Sequence, residues 1–289
     1  SQTLPDLTGT FVDEGYLQLV LLLGCGGYAK VYKALDTTSS SDDPVFYAAK
    51  CMRNGAPGST DVAVLTNEFS MHKDVSYHPG VVSFHRIFTG GEDGELVFMV
   101  LDLAAGDMLH SVVQRHLYVD RPALVADAFL EVLDAVEQCH AEGVFHRDLK
   151  PQNFLCNSAG TGIRLADLGM ATREEESQIF RCGTLAFMSP ECADSMPSER
   201  VSYSPREPDL WALGVILFTL VTSTIPWPVA EPSTWQFAAY RADEDNYLAD
   251  AFHLTPAARD LFRWCFAANP ATRPTIPQMR AAVLNIERY

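Results

Sequence analysis

In the first hundred positions, apolar residues come in short, β-branched or aromatic runs: YLQLVLL (16–22), KVYKALD (30–36), VFYAAKCM (45–52), VVSFHRIF (81–88) and ELVFMVLDL (95–103). Turn residues separate them, so they predict the strands of an antiparallel sheet. One helical spacing interrupts the series, DVAVLTNEFSMHKDVS at about 61–76, with Asp61 available as its cap. After AAGD (104–107) the period changes. The stretch RPALVADAFLEVLDAVEQCHAEG (121–143) is a long amphipathic helix with Pro122 near its start and Gly143 just past its end, as helix termini prefer. Further helices are predicted at about 206–223, 256–267 and 277–287. TTSSSDDP (37–44) reads as a solvated hairpin loop.

This order predicts an α+β chain: an N-terminal extension (1–15), a small strand-rich lobe with one main helix (16–101), a link (102–106) and a larger, mainly helical lobe (107–289). One segment bears on that division. LWALGVILFTLVTSTIPW (210–227) carries no charge over a length that approaches a membrane span. Pro226 and Pro228 end it and Asp209 opens it beside Arg206 and Glu207, so a helix buried inside the larger lobe is expected.

Composition adds limits. The chain has 289 residues, 47% of them hydrophobic, enough for a substantial core. Its formal net charge of −16 argues against nucleic acid or an anionic membrane surface as the main partner and favours basic ones. A bound phosphate would then need lysines, a metal or backbone N–H groups for its positive field. Seven cysteines without a C-x-x-C pair suggest neither a zinc cage nor a complete disulfide framework. A reducing compartment follows, cytoplasmic and/or nuclear. The opening SQTLPD has no signal-peptide pattern and begins without methionine, as expected of a trimmed domain.

The candidate chemistry starts at LLGCGGYAKVYKA (22–34), with Gly24, Gly26 and Gly27 in one turn. Taken alone, this is either a hairpin that needs glycine or a loop that wraps a phosphate. Lys50 on the third strand and Glu68 on the following helix can pair, and the pair is either structural or holds an anion near the ammonium. The second lobe decides between these readings. There VFHRDLKPQNFLC (144–156) precedes IRLADLG (163–169), and HRDLKPQN contains the complete pattern His146, Arg147, Asp148, Leu149 and Asn153. It resembles the catalytic loop of protein kinases. The other kinase elements follow in family order: G-x-G, the strand lysine, the helix glutamate, DLG, SPE (189–191), DLWALG (209–214) and Arg273 in NPATRP. The resemblance spans about 16–287. NEFSMHKDVSYHPGVVSFHRIF and FMSPEC look more narrowly like the fungal serine/threonine kinases of meiosis and nutrient signalling.

The resemblance implies a bilobal kinase fold and an ATP- and Mg²⁺-dependent serine/threonine kinase acting on protein substrates. By the same token, Gly24 and Gly26 let backbone N–H groups approach the ATP phosphates. Lys50 holds the α- and β-phosphates, and Glu68 orients Lys50. Asp148 accepts or orients the proton of the attacking hydroxyl, Lys150 reaches the transferred phosphoryl group, and Asn153 with Asp167 holds Mg²⁺. Backbone groups of Asp102 and Ala104 take the adenine edge, Val31, Ala48 and Leu155 sandwich the ring, and Leu101 limits pocket depth. Lys150 and Thr184 favour serine/threonine acceptors. Asp107 and the acidic surface favour a basic residue upstream of the acceptor, while Gln152 and Thr219 supply no further acid. Glu191 is expected to pair with Arg273, and Asp209 to brace the catalytic loop. Each residue also has a plainer reading: Asp148 as a turn cap, Asn153 as a loop amide, Asp167 as a strand-end carboxylate.

The sequence departs from the family pattern in several places. Ala29 replaces the third loop glycine, which is expected to weaken ATP binding without abolishing it. Leu168 replaces the phenylalanine of D-F-G, and SPE stands for A-P-E. Phe180 occupies the usual acceptor position of the activation loop and cannot be phosphorylated. Glu174, Glu175 and Glu176 either offer a fixed carboxylate that replaces the phosphate by pairing with Arg147 or nearby basic groups, or form a solvated acidic loop, with Thr172 and Ser177 as the alternative regulatory sites. Two rival readings remain: a nucleotide-binding pseudokinase or scaffold, and a small-molecule phosphotransferase. Cys25 and Cys182 are candidates for redox sensitivity.

Overall fold

The structure is a computed structural model that describes residues 4–26, 28–56, 59–193 and 202–289. Gly27 of the glycine turn and the side chain of Asp61 lie outside the described part. The chain divides into two compact units, one ending at Ala104 and the other beginning at Ala105.

The first unit is a six-stranded antiparallel sheet in the order β1-β2-β3-β4-β6-β5. Its strands are β1 (Phe11–Val12), β2 (Leu17–Cys25), β3 (Ala29–Asp36), β4 (Phe46–Arg53), β5 (Phe84–Gly90) and β6 (Leu96–Asp102). Alternation along β2 to β4 turns Leu17, Leu19, Tyr32, Ala34, Ala49 and Cys51 into one buried layer with Phe98 and Val100 of β6. Leu4, Leu7 and Val12 of the N-terminal segment pack on that layer. The segment is also tied down by polar contacts: Lys30 Nζ and the Tyr32 hydroxyl both donate to the Pro5 carbonyl, at 3.1 and 3.2 Å.

Helix α1 (Thr60–Val75) follows β4 as its spacing predicts, but Ser59 supplies the N-cap, its hydroxyl accepting from the Val62 N–H. The expected cap, Asp61, lies one residue inside the helix. The fourth predicted strand begins at Phe84, three residues late, because Val81 and Val82 are buried in the approach to the sheet without joining its ladder.

The second unit opens on β7 (Gly106–Asp107), which pairs with β8 (Phe154–Cys156), itself paired with β9 (Arg164–Leu165). Around this small sheet lie α2 (Met108–Val113), α3 (Pro122–Ala141), α4 (Pro190–Ala193), α5 (Arg206–Thr222), α6 (Trp235–Ala242), α7 (Glu244–Phe252), α8 (Pro256–Cys265) and α9 (Ile276–Leu284). The uncharged run forms α5, whose residues from Pro208 to Leu220 are all buried, so its lack of periodicity reflects burial on every side. Among the described residues no helix is long and apolar enough to cross a membrane. Helix α2 starts after Asp107 as expected, whereas α4, α6 and α7 were not predicted: α4 is a single four-residue turn, and polar or small residues such as Gln236, Ala239, Glu244 and Asn246 break the apolar stripes of the other two.

Candidate active site

In the first unit, Lys50 on β4 forms an ion pair with Glu68 on α1, the two side chains being 12% and 4% exposed. A lysine this far from water needs such a carboxylate partner. Lys50 stands opposite Val31 in the β3–β4 register and Ala48 opposite Leu101 in the β4–β6 register, so four predicted nucleotide contacts sit on adjacent strands. Gly24 pairs with Val31 across the glycine turn, which the Gly26 N–H closes by donating to the Ala29 carbonyl at 2.8 Å. Ala29 therefore starts β3, and its carbonyl serves the turn. At the end of β6, the Asp102 carboxylate accepts from the Ser83 hydroxyl at 2.9 Å and lies 2.6 Å from His85 Nε2, while its N–H donates to the Ser83 carbonyl. Ala104 ends this unit.

In the second unit Asp148, Lys150, Asn153 and Thr184 meet at one point. Asp148 Oδ1 accepts two hydrogen bonds from Thr184, one from the backbone N–H and one from the hydroxyl, each 2.8 Å. Its Oδ2 accepts from Lys150 Nζ at 2.6 Å, and Lys150 also donates to the Thr184 hydroxyl at 2.9 Å. Asn153 Nδ2 donates to the Asp148 carbonyl at 2.9 Å, which leaves its amide oxygen as an acceptor. Leu155 follows on β8, one residue beyond Phe154, which pairs with Leu165 of β9. That strand leads to Asp167 in a left-handed conformation, φ 60°. Leu168 is fully buried.

Two devices hold the catalytic loop. Asp209 at the start of α5 accepts from the N–H groups of His146 and Arg147 at 2.8 and 2.9 Å, bracing a turn in which Arg147 has φ 63°. The buried His140 ring, at the end of α3, lies 2.8 Å from the same carboxylate. His140 was not singled out from the sequence, because a lone histidine at a helix end gives no signal until its partner is known. Gly183 is the second device: at φ 103°, any Cβ would collide with the Arg147 carbonyl oxygen, so the close approach of Thr184 to Asp148 depends on glycine here. Glu191 and Arg273 form the expected pair, bidentate at 2.6 and 2.7 Å.

The activation segment differs from expectation. Among the described residues Arg147 pairs with no carboxylate; its Nε donates to the Met170 carbonyl at 2.7 Å and its Nη1 to the Ser177 hydroxyl at 3.4 Å. Glu176 instead accepts from Ser202. Ser177 is fully buried and bridged to Tyr203 by two backbone hydrogen bonds, and Phe180 packs on the Tyr203 ring. Arg147 thus meets a carbonyl and a hydroxyl instead of a carboxylate, which charge pattern alone could not reveal. Asp107 caps α2, accepting from the His110 N–H at 2.9 Å, so one of its oxygens already has a structural partner. Burial pushes the Cys182 thiol up, and Cys192 up to about 12, which keeps both protonated and poorly nucleophilic.

A family model, described as the protein kinase domain, matches residues 17–283. The chain belongs to the protein kinase family. Among its relatives is the negative regulator of sexual conjugation and meiosis of Schizosaccharomyces pombe, 32% identical over 93% of this chain and 60% of that protein. The serine/threonine-protein kinase ksp1 of the same yeast is 28% identical, over 84% of this chain and 51% of the relative. An inactive serine/threonine-protein kinase, PLK5 of Mus musculus, is 29% identical over 89% of this chain and 41% of its own length. The chain thus spans about two fifths to three fifths of the length of these relatives.

Proposed function

We propose that this kinase domain transfers the γ-phosphoryl group of ATP to serine and threonine hydroxyls of protein substrates. The observation that carries the reading is the arrangement of Asp148, Lys150 and Thr184 around one carboxylate. Such transfer needs positioning and charge stabilisation rather than a protein nucleophile. Asp148 Oδ2 takes the proton that leaves the attacking hydroxyl as the new O–P bond forms and the bond to the ADP leaving group breaks. The Lys150 ammonium offsets the negative charge on the phosphoryl oxygens. Thr184 keeps Asp148 in one rotamer.

The nucleotide contacts are assigned on the same basis. Lys50, oriented by Glu68, reaches the α- and β-phosphates, and the turn at Gly24 and Gly26 offers backbone N–H groups. The adenine edge falls to backbone groups of Asp102 and Ala104 and its faces to Val31, Ala48 and Leu155. The residues present suit magnesium, which binds through one or two oxygen ligands plus substrate phosphates: the Asp167 carboxylate and the Asn153 amide oxygen are hard donors. When bound, the ion neutralises phosphate charge. A basic residue upstream of the acceptor is favoured by the net charge of −16. The role for which the conjugation and meiosis relative is named supports a place in signalling.

The inactive relative sustains a second reading, a pseudokinase that binds nucleotide without turnover. Radiolabelled ATP, Mg²⁺ and a degenerate Ser/Thr peptide library separate the two. Transfer by the wild type that falls by about 10³-fold or more in Asp148→Asn supports the kinase. ATP-dependent thermal stabilisation without transfer by either protein supports the pseudokinase.

A further inference from the structure

On the second unit, away from the residues assigned above, α6, α7 and the turn before α6 enclose an open groove of about 610 Å³. Its walls are Ile225, Pro226, Pro228, Trp235, Tyr247 and Phe252. Trp235 is 71% exposed although it opens a helix that buries Phe237 and Tyr240 completely or nearly so. A tryptophan presented this way, beside an exposed isoleucine, is the kind of apolar feature that marks an interaction surface.

The charges around the groove say what fits it. Among the described residues two carboxylates line it, Asp243 and Asp250, and no Lys or Arg does. The nearby arginines are engaged elsewhere: Arg241 with Glu244, Arg259 with Asp245, and Arg263 with Asp245 and Asp260. Asp243 also caps α7, accepting from the Asn246 N–H at 3.2 Å, while Asp250 is exposed on the last turn of that helix. An apolar floor with an uncompensated acidic rim suits an apolar anchor flanked by cations. A second copy of this chain, itself at −16, would meet like charge there.

We propose that the α6–α7 groove is a docking site for a basic linear segment of a partner protein, one Leu, Phe or Trp anchor flanked on both sides by Lys or Arg. The anchor packs on Trp235 and Ile225, and the flanking cations face Asp250 and Asp243. Binding here needs no phosphoryl transfer.

The test uses the whole chain and fluorescein-labelled peptides that lack Ser, Thr and Tyr, so that phosphorylation plays no part. One set carries Leu, Phe or Trp between pairs of Lys or Arg; a matched set carries Glu instead. Anisotropy is expected to show saturable binding of the basic set that weakens with added salt. Trp235→Ala is expected to weaken it by about 30-fold, as for an aromatic anchor, and Asp250→Lys by about tenfold or more through charge reversal. Both side chains are exposed, and unchanged urea midpoints of the two variants will show that they fold. Absence of saturable binding, equal binding of the Glu set, or binding that neither variant alters would overturn the proposal. So would sedimentation showing a dimer that Trp235→Ala dissociates, since the occupant would then be a second copy.

Discussion

Removing the cation at position 273 is expected to unfold the larger unit at far lower denaturant. Arg273 is the hub of its packing: the guanidinium holds both oxygens of Glu191, donates to the carbonyls of Glu207 and Ala267, and lies 4.9 Å from the Trp211 ring centroid. The side chains of the pair are 0% and 4% exposed. In Arg273→Met the stem still packs, but Glu191 is left as a buried carboxylate without its guanidinium. Breaking a buried pair from one side costs about 3–5 kcal/mol, and the backbone hydrogen bonds add about 1 kcal/mol each where water does not replace them. Because these contributions overlap, a loss of about 4 kcal/mol is expected. All four tryptophans lie beyond Ala104, so tryptophan fluorescence in urea follows this unit alone. The double variant Arg273→Met with Glu191→Leu removes both buried charges and is expected to recover most of the loss. A single-variant loss below about 1 kcal/mol, or a double variant no more stable than the single, would refute the reasoning.

Two further outcomes follow from neighbouring residues. Burial raises the Glu207 carboxyl above its ordinary 4.5, against the opposing pull of Arg273. The folded chain therefore holds that proton more tightly than the unfolded one, and the stability it contributes, fully present below the unfolded value, is lost as pH rises through the raised folded value. Glu207→Gln should raise the urea midpoint at neutral pH and have little effect below about pH 4; an equal gain at both would count against burial as the cause. In the activation segment, Ser177 is fully buried and already accepts from Arg147, and Thr172 is 8% exposed with its backbone bridged to Phe145. Protein shown by intact mass to carry no phosphate is expected to phosphorylate peptides without treatment by another kinase. Activity that emerges only after such treatment, with phosphate mapped to Ser177 or Thr172, would show that the segment is not organised by these contacts.

Much of the fold was legible because it rests on local regularities. Strands β2, β3, β4 and β6 follow from short apolar runs, α3 from its stripe and Pro122, and α5 from a charge-free run too polar at its start to read as a membrane span. The identities of the candidate site residues were legible for a different reason: their types recur at fixed spacings in HRDLKPQN and DLG. By itself the sequence determined the long strands and helices, their order along the chain and the residue types available for chemistry.

Tertiary structure decided what those side chains meet. Thr184 lies 36 residues from Asp148, and only the left-handed backbone at Gly183 brings its hydroxyl onto that carboxylate. Arg147 could have met any of three glutamates, yet its hydrogen bonds go to the Met170 carbonyl and the Ser177 hydroxyl. His140 joins Asp209 across 69 positions, and Trp235 stays exposed because its helix turns Phe237 and Tyr240 inward instead. Periodicity records which face of an element is apolar. Which partner that face or charge finds is set by long-range closure of the chain, and no local pattern encodes it.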